Sequence, residues 1–238
     1  MSDAIPAATL ILMRDRADAA PEILMVERAA TLAFAGGALV FPGGRIDPAD
    51  RALADGHDLP ADEAAARIAA IRETIEEVGI AVGLHPAPAD LSGRPTLAAL
   101  LGAATLDLAA LIPFARWRPD HALARIFDTR FYLACLPANA PPPEPDGAET
   151  VRAFWTTAQA ALDDADAGRA TLIYPTRRTL ERLARFGNFA DAAVDAARYP
   201  VRTITPFVDH RPDGPWLCIP QDCGYPVTAE PLAAAARG

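Results

Sequence analysis

The sequence predicts an α/β fold of the α+β kind, and three observations carry that expectation. Two apolar runs near the start, Ala7 to Met13 and Glu22 to Arg28, read as strands. In the middle, Ile68, Ile71, Ile75 and Val78 recur at helical spacing and form one apolar stripe. Further on, the aromatic-rich Phe127 to Ala134 and the segment Glu149 to Trp155 read as strands, with helix-forming sequence after them.

In chain order, the first two strands are expected to be joined by a polar loop, Arg14 to Pro21. Val40-Phe41 then leads into a tight glycine turn, Phe41-Pro42-Gly43-Gly44-Arg45-Ile46-Asp47-Pro48. The central helix closes with Arg72-Glu73-Thr74-Ile75-Glu76-Glu77-Val78-Gly79-Ile80, and Gly79 can end it without a Cβ penalty. Thr96 to Ile112 is rich in alanine and leucine and reads as one or two helices, a packing surface or a substrate-side lid. Asn139 to Gly147 is a proline-rich loop. Thr157 to Ala167, Thr176 to Phe186 and Ala190 to Ala197 read as helices, with Tyr174-Pro175 as a stop and Thr176 as an N-cap. Val201 to Phe207 and Trp216 to Ile219 are expected to form a hairpin around His210 to Gly214.

Composition bounds the function. With 238 residues, 51% hydrophobic and 22% charged, the chain reads as one elaborated globular domain spanning residues 1–238. A net charge of −9 argues against a partner bound through a nucleic-acid backbone. Cys135, Cys218 and Cys223 lack metal-type spacing and read as ordinary thiols, which suits a reducing cytoplasm. Neither a signal peptide nor a run of membrane-spanning length is read, and Ala236-Arg237-Gly238 is not a peroxisomal address, so no membrane partner is expected. His57, His85, His121 and His210 show neither triad nor zinc spacing.

The chemistry concentrates on the central helix. Glu73, Glu76 and Glu77 fall on one face at i, i+3 and i+4, where three like charges destabilise the helix unless a cation sits among them. Hard divalent ions such as Mg²⁺ or Mn²⁺ take oxygen ligands and supply that charge. Arg72, four residues before Glu76, neutralises part of the cluster. Trp117, Arg116 and Arg130 could hold a nucleotide by stacking and phosphate pairing.

These residues resemble a known family. Arg72 to Ile80 looks like the second half of the Nudix box, R-E-U-x-E-E-x-G-U with U aliphatic, and Gly44 with Asp50 looks like its first half, G-x5-E. Thr74 departs from the aliphatic position and Asp50 from Glu; 21 residues separate Asp50 from Arg72 where the family usually has seven. Glu63 lies nearly at the family's spacing from Arg72, so either acid could serve. The extra residues, about 51–62 within a box segment of 43–80, read as a loop insertion, and about 96–120 as a helical insertion. Arg28, Ala29, Gly37 and Phe41 to Gly44 match R-[SA]-x3-R-x3-G-x3-F-P-G-G, found upstream of the box in coenzyme A-cleaving members; Ala33 replaces its second arginine. F-D-T-R-F-Y-L at Phe127 and Y-P-T-x-x-T-L at Tyr174 resemble the same acyl-coenzyme A diphosphatase branch.

The resemblance implies an α/β/α sandwich with a mixed sheet and a metal-dependent hydrolase. Glu73, Glu76 and Glu77, with the Gly44 carbonyl, would hold Mg²⁺ or Mn²⁺; Glu73 or Glu149 would act as base, and Arg72 would orient the carboxylates. Arg28, Gly37, Phe41, Gly43, Gly44, Arg45 and Arg130 would bind substrate. The implied substrate is a nucleoside diphosphate-X, foremost (acyl-)coenzyme A giving 3′,5′-ADP and (acyl-)phosphopantetheine. ADP-ribose, NADH, a dinucleoside polyphosphate and a non-catalytic nucleotide sensor are the alternatives, and a homodimer fits the family.

Overall fold

The computed structural model describes residues 4–32, 35–88, 91, 93–119 and 126–235. The chain opens with the hairpin β1 (Ile5–Arg16) and β2 (Ala19–Arg28), so the strands run through most of the expected polar loop. Cross-strand pairing extends them: Glu22 accepts from Arg14 at 2.7 Å and from Arg16 at 3.3 Å. The short β3 (Ala38–Val40) and β4 (Gly43–Arg45) precede α1 (Pro48–Leu53) and α2 (Ala61–Val78). Then come β5 (Leu84–His85), α3 (Leu97–Leu100), β6 (Thr105–Leu106) and β7 (Ile112–Trp117). Two long strands follow, β8 (Phe127–Cys135) and β9 (Thr150–Thr157). The C-terminal third holds α4 (Ala158–Asp166), β10 (Thr171–Leu172), α5 (Tyr174–Leu183), α6 (Phe189–Arg198) and β11 (Thr203–Ile204). It ends with β12 (Phe207–Arg211), β13 (Gly214–Cys218), β14 (Ala229–Pro231) and α7 (Leu232–Ala235).

The central sheet is mixed, in the order β10-β3-β2-β1-β8-β7-β11, with β4 on β1 and β9 on β2. Alternation along β1 divides its side chains between two apolar layers. Leu10 and Leu12 meet Ile68, Ile71, Ile75 and Val78 of α2 on one face. Ile11 and Met13 meet Leu162, Leu180, Leu183 and Ala192 of α4, α5 and α6 on the other. This is the α/β/α sandwich expected from the sequence. Each fully buried aliphatic side chain of α2's stripe contributes about 1.5–3 kcal/mol, which fixes the helix and the acids it carries.

The sheet forks where the site lies. β1 pairs with β2 near the hairpin turn but with β4 at Ala7 to Thr9, while β3 pairs with β2 at Val26 and Glu27. Phe41 and Pro42 cross between the strands, and Leu10 N–H holds the crossing through the Pro42 carbonyl at 2.9 Å. A side chain at Gly43 would lie 2.4 Å from the Ala8 carbonyl oxygen, so only glycine permits this approach.

Several expectations are corrected. Thr96 to Ile112 forms one helical turn, a two-residue strand and a three-residue 3₁₀ turn, and β7 follows, so the helical insertion at about 96–120 does not form. Leu97, Leu108 and Leu111 drop separately into the layer under α2, and this tertiary anchoring overrides the local propensity. The insertion after the glycine turn is not all loop: it begins within α1, and Asp62 and Glu63 lie in the first turn of α2. α5 begins at Tyr174, with Pro175 in its first turn and Thr176 buried inside, so Thr176 is not the N-cap. The C-terminal hairpin starts at Phe207; Thr203 and Ile204 pair with β7 instead. All three cysteines are free. Among the described residues no helix is long and apolar enough to cross a membrane.

Candidate active site

The site grows from the C-terminal half of α2. Its apolar stripe turns inward, and the helix ends at Gly79 in a left-handed conformation (φ 68°). Glu77 is 5% exposed, and its Oε2 accepts the Gly43 N–H at 3.0 Å. Glu73 lies against Gly44 so closely that a Cβ there would stand 2.2 Å from Glu73 Oε1. Glu76 is half-exposed at the rim.

Arg72 ties the acids to the glycine turn. Its Nε and Nη2 donate to the two oxygens of Asp50, both at 2.9 Å, a bidentate geometry that fixes the guanidinium plane. Nη1 donates to Glu73 at 3.0 Å and Glu76 at 2.9 Å, and Nη2 also reaches the Arg45 carbonyl at 2.9 Å. Burial opposes the guanidinium charge, but the Asp50 hydrogen bonds and the fields of Glu73, Asp50 and Glu76 outweigh it and raise its pKa. Asp50 is therefore the acid that meets the box arginine across the 21-residue gap. Glu63 is engaged elsewhere, 2.9 Å from Arg67 and 3.7 Å from Arg130. α1 brings Asp50 there: its carboxylate accepts the Asp47 N–H at 2.8 Å, closing the first turn, and the residue is fully buried.

Electrostatics mark the acids as short of positive charge. Burial, then the neighbouring Glu73 carboxylate, pushes Glu77 up to about 8; the Gly43 N–H and Arg28 (3.9 Å away) offset this only in part. Burial likewise pushes Glu73 up to about 7 against the opposing pull of Arg72. Two buried carboxylates that resist ionisation beside a third at the rim are a donor set suited to a hard divalent cation. Among the described residues no three acidic, histidine or cysteine side chains yet converge on one point. Glu76 is engaged by Arg72 Nη1, which donates to it at 2.9 Å.

A loop from the other side completes the rim. Asp146 N–H donates to the Glu77 carbonyl at 3.0 Å, and Glu144 N–H to that of Val78 at 3.0 Å. The Asp146 carboxylate accepts the N–H groups of Ala148, Glu149 and Thr150 at 3.1, 3.2 and 2.7 Å, setting Glu149 at the cavity edge. Arg94 straps this loop to α2, donating to the carbonyls of Glu76, Glu144 and Pro145.

These groups border a cavity of about 830 Å³. It gathers Arg28, Phe41, Gly43, Gly44 and Arg45 with Arg72, Glu73, Glu76, Glu77 and Glu149. Buried Arg28 Nε has no hydrogen-bond partner among the described residues. Two expected residues lie elsewhere. Gly37 closes a turn, its N–H donating to the Arg28 carbonyl at 3.0 Å, and does not line the cavity. Arg130 points to the α2 face, donating to the Asp62 carbonyl at 2.7 Å, because its neighbours Thr129 and Phe131 take the cavity face. Arg116 shares Arg130's face and pairs with Asp128 at 2.6 Å. Trp117 does line the cavity, though buried, with its Nε1–H donated to the Tyr225 hydroxyl at 3.0 Å. Ala33 lies outside the described residues. Asp47, Asp146, Thr129, Phe131 and Ile173 also line the cavity and were not singled out from sequence. The alternation around Arg130 was the signal that could have found Thr129 and Phe131.

The Nudix-domain family profile matches residues 4–175. The human protein "Acyl-coenzyme A diphosphatase NUDT19" is 27% identical over 234 residues, 71% of this chain and 62% of its own length. Its chicken counterpart of the same name is 28% identical over 238 residues, 71% of this chain and 63% of its own length. The chain thus spans less than two thirds of the length of these curated relatives. A crystal structure of a Nudix hydrolase from Alicyclobacillus acidocaldarius superposes with a TM-score of 0.71 at 31% identity, covering 82% of this chain and 97% of that one. Nudix hydrolases generally use divalent metal ions, in keeping with the acids on α2. The family match over most of the chain, with Glu73 and Glu77 set against the glycine fork, means that this chain belongs to the Nudix family.

Proposed function

We propose that the enzyme hydrolyses the diphosphate of (acyl-)coenzyme A to 3′,5′-ADP and (acyl-)phosphopantetheine, using Mg²⁺ or Mn²⁺. The observation that carries this reading is the likeness to acyl-coenzyme A diphosphatases across 71% of the chain, together with a cavity that joins the α2 acids to a long apolar wall. Bound ions would neutralise diphosphate oxygens and lower the pKa of the attacking water. Glu73, Glu76 and Glu77 would hold them at the fork.

The water oxygen forms the new bond to phosphorus while the bridging P–O bond breaks, and the leaving phosphate takes the electron pair. The water proton passes to a carboxylate, Glu73 or Glu149. Glu73 stands in the acid cluster with its pKa near 7, whereas Glu149 is exposed at the rim. Arg28, which lines the cavity and whose Nε has no hydrogen-bond partner among the described residues, binds a diphosphate oxygen, and Arg72 keeps Glu73 and Glu76 in place. A cytoplasmic setting belongs to the same proposal.

The test is product identification by mass spectrometry from a mixture of an acyl-coenzyme A, ADP-ribose and NADH with Mn²⁺. Release of 3′,5′-ADP and acyl-phosphopantetheine ahead of the other products is expected. Preferential formation of AMP with ribose 5-phosphate or reduced nicotinamide mononucleotide would overturn the substrate assignment.

A further inference from the structure

The cavity reaches well beyond the acids, and the far part differs in chemistry from the near part. From Arg45 a row of side chains crosses the sheet through Ala7 and Thr129 to Trp117, each residue the registered partner of the next. A second row runs from Gly43 through Thr9 to Phe131. Three steps between neighbouring strands carry the floor roughly 14 Å from the glycine turn to β7. Ile173, Pro175 and Thr176, at the start of α5, also line the cavity.

Among the described residues, no charged side chain lines this far arm beyond Arg45; Ile5, Phe131, Trp117, Ile173 and Pro175 give it apolar walls. The charges cluster at the opposite end: Arg28, Arg45 and Arg72 with the α2 acids, Asp146 and Glu149. α5 begins without a side-chain cap, which leaves the Tyr174 and Thr176 N–H groups of its first turn without a capping side chain, and Pro175 between them has no N–H. A coenzyme A molecule is divided in the same way. Its 3′-phospho-ADP half is polyanionic, while its pantetheine half is uncharged, with two amide carbonyls, a geminal dimethyl group and a thiol or thioester.

We propose that the arm over Ala7, Thr129 and Trp117 and against the start of α5 is the subsite for the uncharged pantetheine chain and the acyl group beyond it. The 3′-phospho-ADP half then lies on the Arg28 side. This rests on the coenzyme A reading and adds the orientation of the substrate, which that reading leaves open. Burying an anionic phosphate in the apolar arm would leave its charge without a cationic side chain among the described residues, whereas methyl and methylene groups gain there by leaving water. Thr129 sits at the middle of the floor, clear of the acid cluster, so a large side chain there shortens the arm without touching the acids.

The experiment compares the wild-type protein with Thr129→Trp, and with Thr129→Val as a conservative control, each checked for folding by thermal melting. Hydrolysis of coenzyme A and hexanoyl-coenzyme A is measured beside that of 3′-phospho-ADP, which keeps the diphosphate and lacks the arm. Inhibition by pantetheine and by 3′,5′-ADP is measured in parallel. The expected result for Thr129→Trp is at least a tenfold loss of kcat/KM on both coenzyme A substrates and loss of pantetheine inhibition. 3′-Phospho-ADP turnover and 3′,5′-ADP inhibition should change less than threefold, and Thr129→Val should behave as wild type. Loss of 3′,5′-ADP inhibition with pantetheine inhibition retained would reverse the orientation and overturn the proposal, as would equal losses on all substrates in a folded variant. Should Thr129→Trp melt early, pantetheine inhibition of the wild-type protein decides: its absence, in an enzyme that cleaves coenzyme A, refutes the subsite. A wild-type enzyme that leaves coenzyme A intact refutes the functional reading itself, a distinct outcome.

Discussion

Gly44 offers a perturbation that separates activity from stability. An alanine methyl at this position would stand 2.2 Å from Glu73 Oε1 and 2.4 Å from its Cδ. Relief to an ordinary contact needs a displacement on the order of 1 Å, and the end of the Glu73 side chain yields more readily than the paired β4 backbone. A shift of that size at a catalytic centre costs on the order of 10²-fold in rate. The fold should not suffer. Gly44 has no left-handed φ to protect, and replacing glycine by alanine at a compatible backbone contributes about 0.4–1 kcal/mol by restricting the unfolded chain. Gly44→Ala should therefore hydrolyse its diphosphate substrate about 10²-fold more slowly in steady-state assays while melting within a few degrees of wild type. Wild-type turnover in this variant would show that the Glu73 position against the turn does not matter.

Other outcomes follow from the same geometry. Asp50→Ala leaves Arg72 with its bidentate partner gone and should cost about 3–5 kcal/mol in urea unfolding. Glu63→Ala, at a partly exposed pair, should cost below about 1 kcal/mol, and the reverse order would contradict the assignment of the box acid. Glu73 and Glu77 have folded pKa values near 7 and 8, above the ordinary 4.5, so the folded state holds more protons than the unfolded one between those limits. The metal-free protein should lose stability as pH rises from about 5 to 8, and Mn²⁺ should raise its melting temperature more at pH 8 than at pH 5; a melting temperature that climbs over this range without metal would refute the burial argument. Arg94→Ala should loosen the loop carrying Asp146 and Glu149, seen as faster exchange of the Asp146 amide; unchanged protection would mean the strap is idle.

Much of this was legible in the sequence where local pattern and tertiary role coincide. The stripe of Ile68, Ile71, Ile75 and Val78 and the opposed Glu73, Glu76 and Glu77 follow from helical period alone, and α2 keeps both. Period two would also have placed Arg130 away from the cavity, since Thr129 and Phe131 flank it. Asp146 was not legible, because it reaches the site through backbone bonds between a proline-rich loop and the end of α2. The choice between Asp50 and Glu63 needed α1, a short helix whose first turn Asp50 itself closes. The alanine-leucine run after residue 96 misled because its leucines are anchored one by one beneath α2 rather than along a single helical face.

The most direct measurement is Mn²⁺-dependent turnover, with Mn²⁺ binding followed by electron paramagnetic resonance, in Glu76→Gln and Glu77→Gln. Both variants should remain folded, bind Mn²⁺ more weakly and lose at least about 10²-fold in kcat, because each loses a charged oxygen from the cluster at the glycine fork. Wild-type turnover and Mn²⁺ binding in both would contradict the claim that these acids gather the cations that split the diphosphate.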